Sequence, residues 1–130
     1  MIRILIADDH LLFRQSLRAI VEKQADMVVV AEAGNGMEAI KQAASHQPDI
    51  ILMDVEMPEM DGIDATLQIH AAFDRIKIIA LSTHAEQFYI DKMMQAGASD
   101  YLSKICSRQD LIDRIHLVWK AHDYQAEGLS

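Results

Sequence analysis

The chain has a single cysteine, Cys106, in 130 residues, so it forms no internal disulfide and no pair of thiolates holds a metal. Basic residues are also short: 12 Lys and Arg stand against 20 Asp and Glu, for a formal net charge of −8. No stripe of Lys and Arg interrupts that balance, which argues against this segment gripping a nucleic-acid backbone itself. Long apolar runs are missing too. The opening stretch from Ile2 to Ala7 stops at Asp8, too short for a signal peptide or a membrane span, and a cytoplasmic protein is expected. Repeats, low-complexity segments and internal linkers are absent. What remains is a length suited to one domain and an apolar fraction of 51%, ample for one core.

Apolar runs at 2–7, 27–31, 49–53, 76–81 and 99–102 are short and, apart from the last, rich in Ile, Val or Leu, as strands are. Amphipathic stretches separate them. In 11–24, Leu12, Leu17, Ile20 and Val21 leave Arg14, Arg18 and Glu22 to water; in 107–121, Leu111, Ile115 and Val118 repeat at helical spacing. Turn chemistry fits these limits: Gly34-Asn35-Gly36 closes the second strand, Gln47-Pro48 ends a helix, and Gly97 stands where the fourth helix stops. Five strands alternating with helices predict an α/β fold, a doubly wound parallel sheet covered on both faces. Residues 1–122 make up that domain. The tail from His122 to Ser130 has weak periodicity and reads as frayed, or (over 123–130) as the start of a linker to an absent output domain.

In such a sheet the reactive groups gather beyond the carboxyl ends of the strands. There the chain places Asp8 and Asp9, Asp54, Ser82 and Lys104. Three carboxylates in one cleft repel unless a cation joins them, and magnesium suits an all-oxygen donor set. Asp9 and Asp54 are the expected direct ligands, with Asp8 acting through water and the backbone carbonyl of Glu56 completing the set; the adjacent Asp8-Asp9 pair is not separable by sequence. An Asp carboxylate can attack phosphorus and hold the group as an acyl phosphate, provided charge on the equatorial oxygens is met. Lys104 and the Ser82 hydroxyl supply two such contacts beside the metal. His10 reads as helix-entry surface, Thr83 and His84 as residues that tune access to the site, and Met53, Met57 and Met93-Met94 as packing.

The segments IRILIADDH at 2–10, DIILMDVEMPEMDGI at 49–63, IIALS at 78–82 and AGASDYLSK at 96–104 make the chain resemble the response-regulator receiver domains of two-component signalling. It is most similar to receivers of regulators with a LuxR-type helix-turn-helix output. The resemblance implies five strands in the order 2-1-3-4-5 flanked by five helices, as in CheY-like and flavodoxin-like folds. It implies phosphorylation of Asp54 by a partner sensor histidine kinase, with magnesium at Asp9 and Asp54 and Asp8 assisting. Ser82 and Tyr101 would form the switch, Ser82 moving toward the new oxygens and Tyr101 turning inward. A homodimer or another partner contact would follow, and DNA would be reached only through the absent output domain. Such a protein is no enzyme beyond its own phosphorylation and dephosphorylation. The alternative is a receiver-like interaction module that dimerises without phosphorylation.

Three positions depart from the common receiver pattern. Ser82 replaces Thr and keeps the hydroxyl, and the branched Thr83 replaces Ala and narrows access. Ile105 replaces the Pro that often follows the active-site Lys. A cis bond there would cost roughly 2.5–4 kcal/mol without Pro, so either tertiary contacts hold it or the loop differs.

Overall fold

The computed structural model describes residues 1–128, with side chains described as far as Ala121. Five strands, β1 (Ile2–Ala7), β2 (Met27–Ala33), β3 (Ile50–Asp54), β4 (Lys77–Ser82) and β5 (Asp100–Ser103), alternate with helices α1 (Leu11–Glu22), α2 (Gly36–His46), α3 (Gly62–Ala72), α4 (Gln87–Ala96) and α5 (Arg108–Gly128). All strand pairs are parallel, in the order β2-β1-β3-β4-β5. The expected topology is the observed one.

Side-chain alternation divides the core. Ile2, Ile4 and Ile6 of β1, with Ile50 and Leu52 of β3 and Ile79 and Leu81 of β4, pack under α1 and α5 against Leu17, Val21, Leu111 and Ile115. The residues between them, Leu5, Ile51, Met53, Ile78 and Ala80, face α2, α3 and α4 through Ala39, Ala43, Ala65, Ile69 and Met93. Central strands buried on both faces read as unbroken apolar runs for this reason. Truncating one of the fully buried Ile side chains to Ala would cost about 2–5 kcal/mol.

Local chemistry sets the helix limits. The Asn35 side chain accepts from the Glu38 N–H at 2.9 Å, and Glu38 Oε2 accepts from the Gly34 N–H at 3.0 Å, a reciprocal cap for α2. Asp61 caps α3 by accepting from the Asp64 N–H at 2.9 Å. Gln47, in the left-handed region at φ 48°, ends α2 before Pro48. Gly97 ends α4 at φ 116°, where an added Cβ would stand 2.4 Å from the His70 ring.

The backbone from His122, expected to fray, continues α5 as far as Gly128; Leu129 and Ser130, the end of that stretch, lie outside the described residues. Among the described residues no peptide bond is cis, so Lys104-Ile105 is trans and the loop differs from the proline-bearing pattern. None of the described helices is long and apolar enough to cross a membrane.

Candidate functional site

The sheet order reverses between β1 and β3, so the loops that follow them part to opposite faces and leave a crevice at their carboxyl ends. β1 delivers Asp8 and Asp9 there, β3 ends on Asp54, β4 ends on Ser82, and Lys104 follows β5. Asp9, Asp54, Glu56, Ser82, Thr83, His84 and Lys104 all line one cleft of about 400 Å³. Residues nearly a hundred positions apart meet as expected.

Alternation explains which way the carboxylates point. Asp8 follows Ala7 and Asp54 follows Met53, both of which face α2 to α4, so the two acids turn to the side of α1 and α5. Both are buried, at 1% and 4% exposure, while Asp9 stands at the rim. Asp8 is held at each polar group. Its N–H donates to the Ala33 carbonyl at 2.9 Å, Oδ1 accepts from the His10 N–H at 2.8 Å, and Oδ2 meets Lys104 Nζ at 2.8 Å.

Asp54 is less well served. Oδ1 accepts a long 3.4 Å bond from the Glu56 N–H. Oδ2 pairs with Lys104 Nζ at the longer distance of 3.3 Å and accepts no well-formed hydrogen bond. Burial pushes the Asp54 pKa up and the neighbouring Asp8 charge pushes it further; Lys104 pulls it back only in part, leaving it at about 7 against an ordinary 3.8. Burial also lowers Lys104, but Asp8 and Asp54 outweigh that and its pKa is raised, so it stays cationic. The face of Phe13 lies 4.7 Å from its ammonium.

One ligand atom from each of Asp8, Asp9, His10 and Asp54 lies within 4.8 Å of the others. Three carboxylates with one ammonium among them, and a buried oxygen on Asp54 lacking a well-formed hydrogen bond, fit a divalent cation, and the oxygen-rich donor set fits a hard one. His10 was read from the sequence as helix-entry surface, and it is indeed the residue that opens α1. Its Nδ1 nevertheless stands 3.2 Å from Asp9 Oδ1 and 3.3 Å from Asp8 Oδ1, a proximity that its place next to the acidic pair already hinted at.

Ser82 is buried at 2% exposure, and its Oγ accepts from the His84 N–H at 2.9 Å, within its own loop. Tyr101 packs against the α2–α4 side, and its hydroxyl donates to the His84 carbonyl at 2.9 Å. The ring is half buried. Burial raises the Tyr101 pKa, and Ser82 acts against that. A cavity of about 200 Å³ bounded by Ser82, Thr83, His84, Ile90, Tyr101 and Ser103 lies beside the ring.

His84 joins several elements. Its Nε2 meets Glu56 Oε1 at 2.6 Å across the cleft, its Nδ1 is 3.5 Å from Glu86 Oε2, and its ring stacks on Tyr89 at 4.2 Å between centroids. The sequence marked His84 by its position after Ser82; the pairing with Glu56, 28 residues away, carried no sequence signal.

The fold is that of a receiver domain, and its acidic cleft is of the type typical of phosphoaccepting regulators. The chain belongs to the response regulator receiver domain family, whose profile matches residues 4–116. It is 38% identical over 130 residues to the response regulator UvrY of Escherichia coli (strain K12), covering 100% of this chain and 60% of that protein. It is 39% identical over 120 residues to the transcriptional regulatory protein LiaR of Bacillus subtilis (strain 168), covering 92% and 57%. Among solved structures it is similar to a two-component response regulator of the LuxR family from Aurantimonas sp. SI85-9A1, at 31% identity and a TM-score of 0.88, covering 92% of this chain and 85% of that one. The chain thus spans 52–60% of the length of such curated relatives.

Proposed function

We propose that the chain receives a phosphoryl group on Asp54 from a sensor histidine kinase, in a magnesium-dependent transfer, and converts it into a change of surface that controls dimerisation or a DNA-binding output domain. The observation that carries this reading is the state of Asp54: a buried strand-end carboxylate with one oxygen lacking a well-formed hydrogen bond, opening on a cleft shared with two other acids and a lysine. An Asp placed only for structure would have its oxygens satisfied.

In the transfer, an Asp54 carboxylate oxygen forms a bond to phosphorus as the bond from phosphorus to the donor's imidazole nitrogen breaks; that nitrogen keeps the electron pair, and the imidazole, already protonated on its other ring nitrogen, departs neutral. Asp9 and Asp54 would hold magnesium directly, Asp8 through water, with the Glu56 carbonyl completing the protein's share. Bound there, magnesium would neutralise charge on the entering phosphoryl group and on the carboxylates. Lys104 meets a second phosphoryl oxygen with a charge-assisted bond. Ser82 would leave the His84 N–H to reach a third. That shift would loosen the loop whose carbonyl holds Tyr101 and let the ring turn inward. Thr83 and the His84–Glu56 bridge tune how water and donors enter. Catalysis is confined to the chain's own phosphorylation and dephosphorylation.

Relatives named as transcriptional regulators motivate the output: residues 123–130 would lead into a DNA-binding domain, and pairing of receivers would pair or release such domains. Incubation with acetyl phosphate and magnesium tests the reading. One phosphate should appear by intact mass, labile to hydroxylamine, and it should vanish in EDTA and in D9A. Labelling that persists in EDTA would refute the metal requirement. No labelling would favour an interaction module that works without phosphorylation.

A further inference from the structure

The geometry points to Arg14 as the positioning residue for the metal-binding acids: we infer that its guanidinium fixes the Asp8-Asp9 peptide, and through it the aim of Asp9. The inference rests on the reading of Asp9 as a magnesium ligand. Asp8 lies one residue beyond the last ladder pair of β1, Ala7 with Ala33 on one side and with Met53 on the other, so its carbonyl has no ladder partner. Arg14, from the first turn of α1, fills that need. Its Nη1 donates to the Asp8 carbonyl at 2.6 Å while its Nε donates to Glu32 Oε1 of β2 at 2.9 Å.

The planar peptide makes this contact consequential for the next residue. The Asp8 carbonyl, the Asp9 nitrogen and the Asp9 Cα lie in one plane, so orienting the carbonyl orients the start of Asp9. Asp8 has three further anchors, through Ala33, His10 and Lys104. The Asp9 carboxylate, 29% exposed, stands beside His10 Nδ1 and the Asp54 carboxylate, both groups of the site itself. Its placement therefore depends on the backbone that carries it. The rigid fork of Arg14, 18% exposed, ties that backbone to β2. Glu32 balances the charge, so the contribution to the site is one of direction more than of field. Arg18 serves as an internal control: it also binds Glu32, and Glu22 at 2.9 Å, but neither bond reaches Asp8.

The test is magnesium binding to the unphosphorylated chain by calorimetry, together with the Asp9 amide resonance of the metal-free protein. In R14M the dissociation constant should rise about tenfold, as for loss of groups that orient a ligand. The Asp9 amide should shift in R14M, and R18M should leave both readouts within twofold or unmoved. R14K, which keeps the charge but loses the fork, should fall between; if R14M does not fold, the comparison of R14K with R18M decides. Magnesium affinity in R14M and R14K within twofold of wild type would overturn the inference, and so would an equal loss in R18M, which would mark general anchoring of α1 to β2. A wild-type chain that binds no magnesium would overturn the underlying reading instead.

Discussion

Replacing Asp54 with Asn should make the metal-free protein more stable at neutral pH. Burial and the Asp8 charge hold the Asp54 carboxyl near pKa 7, against 3.8 for an ordinary Asp. The native state therefore keeps a proton that the unfolded chain has released between about pH 4 and 7, and unfolding is favoured as pH rises through that window. At 1.36 kcal/mol per tenfold change in proton affinity, the full displacement corresponds to about 4 kcal/mol. The cleft opens to water on one side, which screens the charge and reduces the expected effect to about 2 kcal/mol. D54N removes the ionisation and keeps the shape. In EDTA, urea unfolding should show D54N about 2 kcal/mol more stable than wild type at pH 8, with the difference shrinking toward zero by pH 4. Saturating magnesium should shrink it at pH 8 as well, because the cation favours the ionised carboxylate. A difference that does not change with pH, or a wild type more stable than D54N at pH 8 in EDTA, would refute the reasoning.

Two other perturbations follow from the same geometry. K104A removes the ammonium that lies between Asp8 and Asp54, so magnesium with beryllofluoride should raise its melting temperature less than that of wild type, and the mimic should bind at least tenfold more weakly, the scale of a charge-assisted hydrogen bond; equal shifts in both proteins would deny Lys104 its role. H84A opens the Glu56 bridge across the cleft, and the Asp54 phosphate should then hydrolyse faster, by roughly threefold because exposed pairs of this kind are worth under about 1 kcal/mol; an unchanged lifetime would leave His84 a packing residue on Tyr89.

Where the sequence was informative, local pattern and topology agreed. Unbroken Ile and Leu runs at β1 and β4 declare strands buried on both faces, and a parallel sheet leaves few places for their terminal acids. Asp8, Asp54, Ser82 and Lys104 were legible because each ends or follows a strand, and the sheet order does the rest. Other contacts depend on partners that only folding supplies. The Tyr101 hydroxyl donates to the His84 carbonyl, 17 residues away. His10, Glu56 and Arg14 acquire their contacts from loop paths and from Glu32 on a neighbouring strand, and periodicity carries no trace of those distances. The tail from His122 has little amphipathic spacing, yet its backbone extends α5 to Gly128.

The most direct test of Asp54 as the phosphoacceptor is chemical mapping of the phosphorylated chain. Borohydride reduction of an aspartyl phosphate leaves homoserine at the modified position. After treatment with acetyl phosphate and magnesium, peptide sequencing by mass should find homoserine at position 54 and at neither 8 nor 9. Homoserine at position 8 or 9, or undiminished phosphate incorporation in D54A, would contradict the account.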